Sequence, residues 1–132
     1  MKQFEPDKEL IDKAATLIEA GQYIYIDTQT KEIIKASELE EEKIPEHLLP
    51  VVPMGSKDFF DLMKDFGCTI DDIEFRAVLY DLLGRNHPFS RFKEFIDSSV
   101  YREDWYKYRR IKYIEWVEKQ ISDYNLLGRI TK

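Results

Sequence analysis

Apolar positions follow two spacings along this chain: a period of two in one short early region, and a period near 3.6 almost everywhere else. The helical spacing comes first. Leu10, Ala14, Leu17 and Ile18 make one stripe over Lys8 to Ala20, with Asp7 placed to cap the start and Gly21 to stop the end. Then the period changes. Tyr23 and Tyr25 alternate with Ile24 and Ile26, Asp27-Thr28-Gln29-Thr30 turns the chain, and Ile33 and Ile34 begin a second β run, which together predict a hairpin. The acidic stretch Ser37 to Lys43 reads as a solvated loop or a short exposed helix. Ile44 to Met54 holds three prolines, which excludes a helix or a central strand; its Leu48, Leu49, Val51 and Val52 suit an edge strand beside the hairpin.

From residue 56 onward the pattern is helical. Ser56 is placed to cap Lys57 to Phe66, with Phe59, Met63 and Phe66 at core spacing and Gly67 as its stop. Asp71, with Glu74 three residues on, reads as the capping box of a next helix. That helix buries Ile73 or Phe75, then Val78, Leu79, Leu82 and Leu83, and ends at Gly84. His87-Pro88 opens a short helix with proline at its permitted first position, and Phe89, Phe92, Phe95 and Ile96 form the inner face.

After Ser98 and Ser99 comes the longest helical stretch, Tyr101 to Tyr124, followed by a tail from Leu126. At about 100° per residue it carries two sticky faces. One joins Ile114, Val117 and Ile121 to Tyr113 and Tyr124. The other joins Trp105, Arg109, Lys112 and Trp116, with Tyr101 and Tyr108 at its edge. A helix apolar on both sides is normally covered on both, so this stretch is expected to be the post around which the chain packs. The fold class is therefore α+β: a small N-terminal antiparallel β-hairpin or sheet, and a helical C-terminal half ending in one long helix.

Length and composition narrow this picture. With 132 residues, 43% hydrophobic and 35% charged, a single folded domain spanning 1–132 is expected. No apolar run approaches the ~20 residues of a membrane span, and MKQFEPDKEL has no apolar signal core. The lone Cys68 excludes an intramolecular disulfide and fits a reducing compartment, so a cytoplasmic location is expected. The net charge of −6 is uneven: residues 85–132 hold eleven Lys or Arg against seven Asp or Glu, leaving the other 84 residues at −10. Such asymmetry serves either a nucleic-acid surface or mutual neutralisation inside the fold; an overall negative chain is repelled by phosphate, which favours neutralisation.

There is no P-loop, dinucleotide-binding glycine turn, paired-cysteine zinc pattern or His-Glu-x-x-His. His47 sits among prolines and His87 at a helix start, neither beside a nucleophile. Cys68 has no cationic neighbour to activate it and reads as a small buried hydrophobe. Asp71 and Asp72, with Asp81, would suggest a carboxylate pair, but Asp71 is better explained as a helix cap at the positive end of the helix dipole. No catalytic residue, metal ligand or cofactor is therefore expected. The strongest constellation is Arg91, Lys93, Trp105, Arg109, Arg110 and Lys112. Cations interleaved with aromatic rings are what single-stranded nucleic acid requires of a surface. The same residues also fit a core tryptophan overlaid by arginine stems whose guanidinium groups pair with acidic residues.

Three segments, YIYIDTQTKEII, VVPMGSKDFFDLMKDF, and PFSRFKEFI followed by DWYKYRR, together resemble the bacterial uncharacterised protein family 0158 over residues of about 22–122. Phe89, Arg91, Phe92 and Lys93 stand on that family's Phe-Arg-Arg-Phe-Lys helix, with Ser90 where arginine is often seen. Trp105, Tyr106, Tyr108 and Arg109 stand on its Trp-Tyr-x-Phe-Arg helix, with tyrosine for phenylalanine. The resemblance implies a fold and no assigned activity. The functional expectation is a small non-enzymatic binding or regulatory module acting through protein contacts. The alternatives are nucleic-acid binding through the basic aromatic helix, or a small enzyme with an unrecognised site. No membrane partner is expected.

Overall fold

The structure is a computed structural model that describes residues 3–40 and 44–130. The described chain forms two compact units: residues 1–53 with 113–132, and residues 54–112. We call them the sheet unit and the helical unit.

The sheet unit begins with α1 (Lys8–Glu19), where Asp7 accepts a hydrogen bond from the Leu10 N–H, the expected cap. Its end is a Schellman arrangement: the N–H of Gly21 bonds Ile18 O and that of Gln22 bonds Leu17 O, both at 3.0 Å. Gly21 sits at φ +85°, where a Cβ would be strained. Then come β1 (Ile24–Asp27), β2 (Ile33–Lys35), a 3₁₀ turn at Ala36–Glu38, and β3 (Leu48–Val51). Of the acidic stretch, residues 41–43 lie outside the described chain.

The strand order is β2-β1-β3, antiparallel throughout, so the first strand is central and the proline-containing one is an edge, as its Pro50 demands. Register places Ile24 opposite Val51 and Ile26 opposite Leu49. All four are essentially without exposure, which is how one sheet face becomes core. The hairpin turn lacks glycine, and Lys31 takes the left-handed conformation at φ 65° instead.

The helical unit contains α2 (Ser56–Cys68), α3 (Ile73–Leu83) and α4 (Pro88–Asp97). Three expected boundaries are corrected. Gly55, not Ser56, is the N-cap of α2. Gly67 does not end that helix but lies buried within it, because an added Cβ there would come 2.9 Å from Tyr80 Cε1 and 3.0 Å from Leu79 Cδ2. The residue is small so that α3 can approach. For α3, Asp72 rather than Asp71 caps, accepting from the Phe75 N–H. This register buries Leu79 and Leu83 and leaves Ile73 and Val78 exposed.

Pro88 opens α4 as expected, but Phe89 on it is partly exposed while Phe92 and Ile96 are buried. The core of this unit joins Leu62, Met63, Phe66, Leu79, Phe92 and Trp105, among others.

The last helix, α5 (Arg102–Ile130), is unbroken and continues past Tyr124 through Gly128, so the expected tail is largely helix. Its first turns belong to the helical unit, where Trp105 is buried. From Tyr113 it belongs to the sheet unit, where Tyr113, Val117 and Ile121 are buried. The second face is thus shared: Trp105 serves the helical unit and Trp116 the sheet unit. No helix among the described residues is long and apolar enough to cross a membrane.

Candidate functional site

The six residues of the basic aromatic constellation all lie in the helical unit, on α4 and α5. Arg91 folds back on the start of its own helix: Nε donates to Asn86 O at 2.7 Å and Nη2 to Asn86 Oδ1 at 2.9 Å. Lys93 reaches one turn on, its Nζ 2.7 Å from Asp97 Oδ2. Trp105 is only 3% exposed. Its ring lies 4.8 Å from Phe92 and 6.1 Å from Phe59, both edge-on, and 5.2 Å from Phe66. The Arg109 guanidinium sits 5.8 Å from the centre of the Phe59 ring, and Lys112 Nζ 5.5 Å from that of Tyr108, whose ring stacks on Trp105. Arg109, Arg110 and Lys112 are all engaged with further partners.

The structure therefore gathers Trp105, Arg109 and Lys112 around one set of rings, while Arg91 and Lys93 serve α4 itself. A ring that stacks on a base must be reachable. Trp105 is not.

A second cluster was not legible beforehand. Asp97 Oδ1 accepts from Tyr106 Oη at 2.8 Å and lies 3.7 Å from Arg102 Nε, while Oδ2 takes Lys93. Arg102 also lies over the Tyr106 ring, 5.2 Å from its centre. The bond from Lys93, then that from Tyr106, holds the Asp97 carboxyl below its ordinary range, and Asp97 in turn raises Lys93. Only the Lys93–Asp97 spacing of four signals this in sequence. A carboxylate so surrounded by donors stays ionised near neutrality, far from the pKa a general acid or base needs. Its role is to fasten the end of α4 to the first turn of α5.

The remaining candidates are structural too. Burial pushes the Asp27 carboxyl up, but N–H bonds from Gln29 and Thr30, with His47 Nε2 at 3.6 Å, outweigh it and leave the group lowered. His87 is exposed, takes φ 52° as the α4 N-cap, and makes no side-chain capping bond. Cys68, expected to be buried, is exposed, because α2 continues through it and Gly67 takes the inward position. Its Sγ is 2.9 Å from Tyr80 Oη, and that bond, with burial, raises the tyrosine. Asp81 pairs with Arg85 at 2.7 Å. Among the described residues no three His, Cys, Asp or Glu side chains come together as a metal site would need.

In the sheet unit, α5 acts through polar side chains that its sequence did not single out. Gln120 holds the backbone of Val52 by both groups: Oε1 accepts from its N–H at 2.9 Å and Nε2 donates to its carbonyl at 3.2 Å. Trp116 Nε1 donates to the same carbonyl at 2.8 Å, and this half-buried ring is no core residue. Asn125 does the same to Phe4, accepting from its N–H at 3.0 Å and donating to its carbonyl at 2.9 Å. Beside that clamp an open groove of about 590 Å³ runs between residues 3–6, Ile11 and the outer face of α5.

The chain is 29% identical over 83 residues to UPF0158 protein PA5073 of Pseudomonas aeruginosa, an alignment covering 62% of this chain and 54% of that protein. The chain thus spans about half the length of this curated relative. No solved structure gives a significant match. The family profile takes in residues 5–126, α1 included, and the chain belongs to the Uncharacterised protein family (UPF0158).

Proposed function

We propose that this chain is a non-enzymatic binding or regulatory module that acts through protein contacts. The burial of Trp105 carries this reading. It withdraws the tryptophan of the basic aromatic constellation, while Arg91 is bonded to Asn86 just before its helix and Lys93 to Asp97 within it. The overall charge of −6 adds long-range repulsion from phosphate. The carboxylates with lowered pKa, Asp27 and Asp97, are those that brace a turn and a helix junction, which supports a structural use of them.

The test has two arms. Fluorescence anisotropy at low salt is expected to show no binding of a mixed single-stranded oligonucleotide, with the Arg109→Glu, Arg110→Glu double variant unchanged. Formaldehyde cross-linking in the native cell, which captures both protein and nucleic-acid partners, is expected to give adducts that survive nuclease and vanish with protease. Salt-sensitive oligonucleotide binding abolished by the double variant, or nuclease-sensitive adducts, would replace this reading with the nucleic-acid one.

A further inference from the structure

The groove of the sheet unit has a floor of Phe4, Pro6, Ile11, Ile121 and Leu126. Phe4 and Ile121 are buried, while Leu126 is an apolar side chain left 54% exposed. The two charged groups lining the groove are both acidic, Glu5 and Glu118. Among the described residues neither carboxylate is in an ion pair. Lys119, the next residue on α5, does not neutralise Glu118, because its Nζ pairs with Asp123 at 3.0 Å. The Asn125 amide at the groove is already committed to the Phe4 backbone.

The shape argues about size. A volume of about 590 Å³ is that of a ligand cleft. A small molecule, however, would have to lose most of its surface to protein, and an open trough does not provide that. A helix laid along it, with apolar anchors one turn apart, would be covered on the one side that needs covering. The charge argues about identity. Two carboxylates with no ion pair among the described residues, beside an apolar floor, favour a cationic partner and repel an acidic one. A two-fold pairing of this face with itself would set acidic rim against acidic rim, so a second copy docking face to face does not fit.

Resting on the protein-contact reading above, we infer that this groove receives a short cationic amphipathic segment of a partner protein. Its apolar side chains seat on Phe4, Ile121 and Leu126, and its lysines or arginines meet Glu5 and Glu118.

The probe is a synthetic amphipathic peptide of about four helical turns, leucines on one face and lysines on the other, beside a counterpart with glutamates for the lysines. Each is titrated into the isotope-labelled full chain and followed by backbone NMR. The lysine peptide is expected to shift Ile11, Ser122 and Leu126 saturably; the glutamate peptide is not. Glu118→Lys is expected to weaken binding by about tenfold. Asp65→Lys, an equal charge change on α2, is expected to weaken it by less than about twofold. Equal binding of both peptides, shifts centred elsewhere, or equal effects of the two substitutions would overturn the inference. Groove resonances that move with protein concentration alone would overturn it too, by making the groove a self-association face. Failure here beside protease-sensitive adducts would leave the protein-contact reading standing on another surface. Nuclease-sensitive adducts would remove both.

Discussion

In the sheet unit the fully buried side chains are aliphatic: Ile18, Ile24, Ile26, Leu49, Val51 and Val117. In the helical unit Met63, Leu79 and Ile96 are as fully buried, but rings gather with them, Phe59, Phe66, Phe92 and Tyr108 around Trp105, and Phe75 stacked on Phe95 at 4.5 Å beside Tyr101. The contrast follows from what each backbone leaves undone. Helices satisfy their own N–H and C=O groups, so helices meeting at angles mainly need volume filled, and edge-to-face rings fill it well. A small sheet with two edges leaves extended segments whose backbone groups need partners, and α5 supplies them as amide and indole side chains. One unit is held by ring geometry, the other by a flat aliphatic face and polar hooks.

Substitutions that strike one kind of support and not the other sharpen this contrast. The largest effect is expected from Trp105→Ala, which removes the hub of the ring cluster. Denaturant unfolding should show a loss of about 3–5 kcal/mol, and a loss under about 1 kcal/mol would contradict the role given to the ring. Gly67→Ala comes next, at about 1–3 kcal/mol. The added methyl meets Leu79 and Tyr80 without altering any hydrogen-bonding group, so an unchanged midpoint would show that α3 yields freely. Gln120→Ala removes both bonds to Val52, and a cost of about 0.5–1.5 kcal/mol is expected. Restoring stability with methionine, which fills the volume but makes no such bonds, would reduce the hook to packing.

The smallest effect is electrostatic. Asp97 is lowered in the folded chain, so its contribution is fully present above the ordinary aspartate value of 3.8 and is lost as pH falls through the native value. Lys93 is raised, so its contribution is present below the ordinary 10.5 and lost as pH climbs through the native value. Unfolding midpoints of the parent chain and Asp97→Asn, taken at stepped pH, should converge at the acid end. A constant gap would deny Asp97 its ionic role.

Local signals were readable where a residue's meaning is local. Asp7 as a cap, Pro88 as a first helical residue, alternation at Tyr23–Ile26 and proline at an edge all describe what one stretch does by itself. They failed where tertiary packing chooses between equal local options. Asp71 and Asp72 both qualify as caps, and of the apolar positions expected inside, packing buries Leu79 and Leu83 and half-buries Phe75 but leaves Ile73 and Val78 exposed. A glycine near a helix end reads as a stop, and only the nearness of Tyr80 shows that Gly67 is a point of close approach. Trp105 and Trp116 look alike in sequence, yet one is core and the other half-buried at a backbone carbonyl. Gln120 and Asn125 carry no local sign at all, since their partners lie 68 and 121 positions earlier.

That last separation bears on how the chain is made. A ribosome adding about 5–20 residues per second exposes Phe4 on the order of ten seconds before it delivers Asn125. All three strands, which end at Val51, are likewise made before the α5 side chains that hold Phe4 and Val52. Its margin at Val52 is fastened by Gln120, made 68 positions later.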